Sequence, residues 1–182
     1  MFGDPIKNPM HWNMLSLKEA CSKITDGTHH SPESYEVGDY KYVTAKNIKS
    51  TGFDFSNLSY VTKEVHDSIY SRCNSEKGDV LYIKDGATTG IAMVNTLDEE
   101  FSMLSSVALI KQNRSILNGY YLCSVLNNKR MYEKIRSNMG GAAITRLTIA
   151  KINSIIVPVP PIELQNQFAQ FVQQVDKLKF DE

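Results

Sequence analysis

The stretch that most limits how this chain can fold is its last one. Ile155-Ile-Val-Pro-Val-Pro-Pro161 reads as an apolar strand that stops on two prolines, and a helical pattern opens directly behind it. Proline has no N–H to give, so it suits the first position of a helix, where that donor would be idle. Glu163 falls in the first turn, where the positive end of the helix dipole favours a carboxylate. Leu164, Phe168, Phe171, Val175 and Leu178 then recur at steps of 4, 3, 4 and 3. That spacing is a narrow heptad seam, not the broad apolar stripe of an ordinary surface helix. Two heptads are too short to stay helical in water unaided, because the first turn is costly to nucleate. The seam therefore predicts a helix–helix interface through these five residues, within this chain or with another, or the head of a longer spacer helix. The plainer alternative is a terminal helix packed on its own domain.

What precedes the helix has room for one domain with a proper core, since the chain has 182 residues. Lys+Arg and Asp+Glu are both 20, so the formal net charge is zero. A nucleic-acid partner would then depend on local clustering of charge rather than on the total. No apolar run approaches the roughly 20 residues of a membrane span, and Met1-Phe-Gly-Asp-Pro-Ile-Lys-Asn-Pro9 lacks the basic start and apolar stretch of a signal peptide. Cys21, Cys73 and Cys123 are odd in number and far apart, which fits neither a disulfide framework nor a zinc knuckle. Reduced thiols in a cytoplasmic protein are the expectation.

Taken in order, residues 1–11 read as an extended lead-in with Pro5 and Pro9, and Trp12 opens the domain. Leu15 to Ile24 suits a short helix capped by Ser16. Tyr40 to Thr44, Val80 to Ile83, Ile91 to Val94, Val107 to Ile110 and Ile155 to Val159 are strand candidates. Thr62 is placed to cap a helix over Lys63 to Ser71, and Thr148 to cap a short helical turn. Asn118 to Ser137 reads as one helix, with Tyr121, Leu122, Val125, Leu126, Tyr132 and Ile135 at helical spacing. Its second half is basic, with Lys129, Arg130, Lys134 and Arg136 against Glu133. Asn138 to Ala143 follows as a glycine loop. The order is mixed α+β with short strands. It lacks the βαβ alternation of a doubly wound sheet.

Enzyme chemistry finds little support. Gly86-Ala-Thr-Thr-Gly90 brings its second glycine one residue early for a P-loop, and Ile91 stands where the phosphate lysine belongs. A hairpin turn using glycine at positive φ explains the stretch better. His29 and His30 are adjacent, and no Cys or carboxylate completes a metal-ligand spacing with them. No Gly-x-Ser-x-Gly elbow marks a nucleophile, and Pro158-Val-Pro-Pro161 lacks the polar residue and aromatic of an adenine-methyltransferase motif. What remains is a set of polar loops: Thr25–Ser31, Lys46–Lys49, Lys84–Thr89 and Gly140–Arg146. Arg, Lys, Asn, Gln, Ser and Thr are the side chains that read base edges in a major groove. Lys, Arg and backbone N–H groups hold phosphates. Ordinary solvated loops are the alternative that this chemistry leaves open; with DNA as the partner, Lys46, Asn47, Lys84, Thr88, Thr89 and Arg146 are expected near it, with Thr28, His29 and His30 as further candidates and Lys129, Arg130 and Lys134 for phosphates.

An ordered set of stretches resembles the specificity subunits of type I restriction–modification systems. These are Trp12 to Leu17; Lys23-Ile-Thr-Asp-Gly-Thr-His-His-Ser-Pro32; Tyr42-Val-Thr-Ala-Lys-Asn-Ile48; Lys77-Gly-Asp-Val-Leu-Tyr-Ile83; Asp85-Gly-Ala-Thr-Thr-Gly90; Ser106-Val-Ala-Leu-Ile110; and Thr145-Arg-Leu-Thr-Ile149, leading to Val157-Pro-Val-Pro-Pro161 and Glu163-Leu-Gln165. The likeness runs from residue 12 to about 178, and Phe2 to Pro9 is similar to the segment that leaves a spacer helix in such subunits. It implies a target recognition domain of mixed α/β fold over 12–160, a twisted multi-stranded sheet with flanking helices, a lead-in over 1–11, and the start of a coiled-coil spacer helix over 161–182. It also implies that the chain is non-catalytic and has double-stranded DNA as a partner. The other implied partners are a methyltransferase (modification) subunit, a restriction subunit, and a second recognition domain or a second copy through the C-terminal helix. S-adenosylmethionine belongs to the methyltransferase subunit in that scheme, and this chain takes no cofactor of its own. A pure protein-assembly module and an uncharacterised hydrolase stand as alternatives.

Overall fold

A computed structural model describes residues 1–137 and 146–180, with only the backbone described for 179 and 180. The expected glycine loop at 138–143 lies outside the described residues, as does most of the loop at 140–146. In chain order the elements are β1 (Asn13–Ser16), α1 (Leu17–Ala20), β2 (Cys21–Asp26), β3 (Tyr40–Val43), β4 (Ile48–Lys49), β5 (Gly52–Phe53), β6 (Ser59–Val61) and α2 (Lys63–Tyr70). There follow β7 (Val80–Ile83), β8 (Ala92–Val94), β9 (Ser102–Met103), β10 (Val107–Gln112), α3 (Gly119–Leu126), α4 (Lys129–Ser137), α5 (Ile149–Asn153), β11 (Ile156–Val159) and α6 (Ile162–Phe180). The expected mixed α+β class is what forms.

The centre is an antiparallel sheet in the order β2-β10-β7-β8. Val80 to Ile83 and Val107 to Ile110 are buried at every position, because both faces of this sheet are covered. Val80, Tyr82, Ala108 and Ile110 face one cluster, with Leu17, Tyr121, Leu122, Leu126 and Val157. Leu81, Ile83, Val107 and Leu109 face the other, with Val43, Ile48, Phe101 and Met103. Period-two alternation thus divides one apolar run between two cores. A smaller sheet, β6-β3-β9, joins an antiparallel to a parallel pair, and β4 and β5 form a hairpin. β1 pairs with β11, with Asn13 opposite Val159, so the start of the domain is tied to the strand that feeds the last helix.

Several sequence expectations need correction. Ser16 caps a helix with Glu19 in a reciprocal capping box, but the helix is one turn long. Residues 21–26 are strand instead, since their ladder with β10 outweighs a weak helical pattern. The helix expected over 118–137 is two. Asn127 ends the first by turning its side-chain amide onto β8, accepting from the Ala92 N–H at 2.9 Å and donating to the Ala92 carbonyl at 2.7 Å. This satisfies the open edge of the sheet. Asn128 Oδ1 then accepts from the N–H groups of Arg130 and Met131 and starts the second helix. The region 45–52 carries a 3-10 turn and a hairpin where only a loop was expected. The lead-in is no loose extension: Phe2 packs edge-on against Tyr121, at 4.7 Å between ring centroids, and against Phe168 at 5.5 Å.

Helix α6 begins directly after Pro161, as its sequence requires. Its docked face runs one residue out of step with the seam. Gln165 and Ala169 are buried, while Phe171 is 62% and Leu178 68% exposed. Gln165 donates to the carbonyls of Ile116 (3.0 Å) and Pro160 (2.8 Å), and its Oε1 accepts from the Asn118 N–H at 2.9 Å. Phe168 is spent on the domain core, and Leu164 and Val175 are half-buried.

Candidate nucleic-acid interface

The segment Leu104 to Ser106 is the post on which the polar loops meet. The Thr28 N–H donates to the Met103 carbonyl at 2.8 Å and the Ser105 N–H to the Thr28 carbonyl at 2.8 Å, which pins the 25–31 loop. Gly27 makes this approach possible, since a Cβ there would stand 1.9 Å from the Met103 carbonyl oxygen. The Ala45 N–H donates to Ser106 Oγ at 3.2 Å, and the Lys84 N–H to the Ser106 carbonyl at 2.9 Å. The Leu147 N–H bonds the Lys84 carbonyl at 2.8 Å, and Arg146 bridges Asp85 in the backbone. Three loops thus share one support, and the chain around Arg146 joins through the third of them.

Beneath them runs a strip of buried charge. Lys84 is only 3% exposed, and its Nζ lies 2.9 Å from Asp85 Oδ2 and 3.4 Å from Asp26 Oδ2. A buried ammonium needs such partners, because desolvation without them is expensive. Asp26, also buried, receives Arg72 Nη1 at 3.3 Å and faces His29 Nε2 at 3.2 Å. Asp85 Oδ1 lies 3.0 Å from Arg146 Nε, an ion pair without hydrogen-bond alignment. Asp26 stays inside and Asp85 is 21% exposed at the groove wall, while Arg72, Arg146 and His29 reach outward, each more than half exposed.

Between the 44–47 turn and the 85–88 loop lies an open groove of about 650 Å³, lined by Lys46, Lys49, Asn57, Ser59 and Thr88 with Gly86 at its lip. Two predicted side chains, Lys46 and Thr88, stand exposed in it. Lys46, Thr88 and Arg146 hold their expected place at the surface. Asn47, Lys84 and Thr89 do not. Asn47 is buried and closes the turn, accepting from the Thr44 N–H and donating to the Asp54 carbonyl. Thr89 is fully buried and donates to the Gly86 carbonyl at 2.7 Å. Each of the three shapes a loop from below. Thr28 spends its hydroxyl on the His30 carbonyl, and His30 is exposed beside it.

On α4, Lys129 and Lys134 are exposed, while Arg130 is tied to Asp4 of the lead-in. Arg136 reaches from that helix into the hairpin loop, where Nη1 donates to the Thr89 carbonyl at 2.8 Å while the guanidinium packs over Tyr132. Gly90, with φ near 101°, presses on the same ring. Lys49, Asn57 and Arg72 were missed from the sequence. Nothing local distinguishes them; only the pairing of β4 with β5 and the position of α2 bring them here.

One grouping resembles catalytic chemistry. His66 Nδ1 lies 3.1 Å from Ser102 Oγ, and Nε2 lies 3.3 Å from Glu100 Oε2. Yet Ser102 is fully buried, and His66, stacked on Tyr40 at 3.9 Å, is 1% exposed. A nucleophile that no substrate can touch does not support a hydrolase; these bonds fasten α2 to β9. Burial pushes the Cys21 and Cys73 thiols up to about 12 and the Cys123 thiol up as well, away from the thiolate form that reacts or binds metal. Among the described residues no three metal-capable side chains gather, and no helix is long and apolar enough to cross a membrane.

The comparisons with known proteins agree with one another. The family model described as type I restriction modification DNA specificity domain matches residues 9–181. The type I restriction enzyme MjaVIII specificity subunit of Methanocaldococcus jannaschii is 24% identical over 162 residues, which are 81% of this chain and 37% of that protein. The HsdS subunit of Thermoanaerobacter tengcongensis superposes with a TM-score of 0.61 at 18% identity, over 93% of this chain and 38% of the other. The S subunit of a type I restriction–modification system from M. genitalium gives a TM-score of 0.62 at 20% identity, over 94% and 41%. The chain therefore spans about two-fifths of the length of the proteins it matches.

Proposed function

The chain belongs to the type I restriction modification DNA specificity family, and on that premise we propose that it is a target recognition domain that reads one half of a bipartite site in double-stranded DNA. The observation that carries this reading is the groove: separate stretches of chain converge there and present Lys46, Lys49, Asn57 and Thr88, and Asp85 of its wall pairs with the exposed Arg146. Exposed lysines suit phosphates, and amide, hydroxyl and guanidinium groups suit base edges. Lys129 and Lys134 extend the positive surface along α4, while Asn47, Lys84 and Thr89 support the reading loops. In this reading the recognition domain covers residues 12–160.

The remaining parts fit the same role. Residues 1–11 lead in from a spacer segment, and α6 is the head of a spacer helix. Phe171 and Leu178, exposed along its outer half, pair with the helix of a second recognition domain or a second copy. The domain acts without catalysis of its own, in an assembly with a methyltransferase subunit, which carries S-adenosylmethionine, and a restriction subunit. The cytoplasm is where such an assembly meets DNA. The test is selection of duplexes bound by the chain with its cognate methyltransferase subunit present. A bipartite motif is expected; absence of any enriched sequence would overturn the reading.

A further inference from the structure

Two arginines reach outward from the buried strip, and they are held differently. Arg72 spends both arms of its fork on the protein: Nη1 on Asp26 and Nη2 on the Gly27 carbonyl at 2.6 Å. Arg146 is held from behind. Its Nε meets Asp85 Oδ1 at 3.0 Å, its backbone is bridged to Asp85, and its side chain is 61% exposed. No described residue takes its two terminal nitrogens. Asp85 is itself fixed by the buried Lys84, which Asp26 holds from the other side.

We propose that Arg146 reads a guanine, donating from its two terminal nitrogens to O6 and N7 in the major groove, with Asp85 as the positioning residue. The assignment rests on the DNA-reading role proposed above. The geometry favours a base over a phosphate for three reasons. A planar fork with two parallel donors matches the O6/N7 pair of guanine and no other base-pair edge. An ion pair behind the fork, with Asp85 Oδ1 3.0 Å from Nε, restrains the side chain, so less of its freedom is lost on binding. The Asp85 charge beside it lowers the attraction for a phosphate, which the exposed Lys46 of the groove can take, since no described carboxylate pairs with it. Arg72, with its fork already filled, is a brace for the 25–27 backbone.

The experiment is duplex selection with the unaltered chain, Arg146→Ala, Arg146→Lys and Asp85→Asn, each with the methyltransferase subunit present. It is followed by titration of the selected duplex with single guanines replaced by 7-deazaguanine, which lacks N7. The unaltered chain should enrich a motif in which one 7-deazaguanine position lowers affinity roughly tenfold. Both Arg146 variants should lose the preference at that position and become insensitive to the replacement. Asp85→Asn should lose most of the sensitivity while keeping a native circular dichroism spectrum and the rest of the motif, a result that mere structural damage would not give. If the unaltered chain enriches no sequence, the DNA reading itself falls, and this assignment with it. If the motif has no guanine, or Arg146→Ala enriches the same guanines with the same 7-deaza penalty, the assignment alone is overturned. A uniform loss of affinity across all sequences would make Arg146 a phosphate contact and likewise overturn it.

Discussion

The groove loops and the last helix solve one problem in two ways. Each must present an outward surface from a fixed position. The loops do it with charge: Asp26, Lys84 and Asp85 lie inside, and Arg146, Lys46 and Thr88 stand outside. The helix does it with a neutral amide: Gln165 fills three hydrogen bonds inside, and Phe171 and Leu178 stand outside. In both, the residue that fixes the geometry is polar and buried, Lys84 in one and Gln165 in the other. The difference lies in how each fails. Breaking the charged strip leaves ions without partners in a low-dielectric interior, while breaking the amide latch leaves only neutral groups unpaired.

The largest expected effect follows from that difference. Lys84→Ala removes the buried cation that Asp26 and Asp85 share and leaves them only the half-exposed Arg72 and Arg146, so it should lower stability by about 3 kcal/mol. The midpoint of urea unfolding measures it; a loss below about 1 kcal/mol would mean the strip is less buried in solution than its 3% exposure implies. Next comes Gln165→Ala, which orphans two carbonyls and an N–H and should cost about 2 kcal/mol. Phe171→Ser in the same helix should change the stability of the single chain by less than about 0.5 kcal/mol, since the ring is exposed. The same change should weaken any helix-mediated association seen in sedimentation velocity. Equal costs for the two substitutions would erase the distinction between latch and seam.

The smallest effect concerns the lead-in. The Asp4 carboxyl is held below its ordinary range, first by the Lys7 and Ile6 N–H groups and then by Arg130. A depressed carboxylate contributes stability above its unfolded value and loses it as pH falls through the folded one. The anchoring of residues 1–11 should therefore be complete above about pH 4 and relax below it. Trp12, the single tryptophan, donates from its ring to the Phe2 carbonyl, so its fluorescence reports the change. A transition centred near neutral pH would contradict this.

How much of this was legible in the sequence depends on the range of the forces involved. The caps at Ser16, Thr62 and Thr148 could be read because a cap acts over three residues. The strands β7 and β10 could be read because burial on both faces writes an unbroken apolar run. The break between α3 and α4 could not, since Asn127 ends the helix by bonding Ala92, 35 positions away. Near the groove, residue type picked out Lys46, Thr88 and Arg146, which are exposed. It could not separate them from Asn47, Lys84 and Thr89, because the same side-chain chemistry that reads a base also ties a loop from beneath. Burial separates the two sets, and it comes from contacts distant in sequence, such as Ser106 on Lys84 and Arg136 on Thr89.

The central claim is that the groove face meets the DNA backbone and bases. The most direct measurement is the salt dependence of duplex binding by the unaltered chain and by the Lys46→Ala/Lys49→Ala double variant. If both lysines neutralise phosphates, the slope of log affinity against log salt should fall in magnitude by about two. Binding with an unchanged slope, or an unaltered chain whose affinity ignores salt, would place the DNA elsewhere and contradict the account.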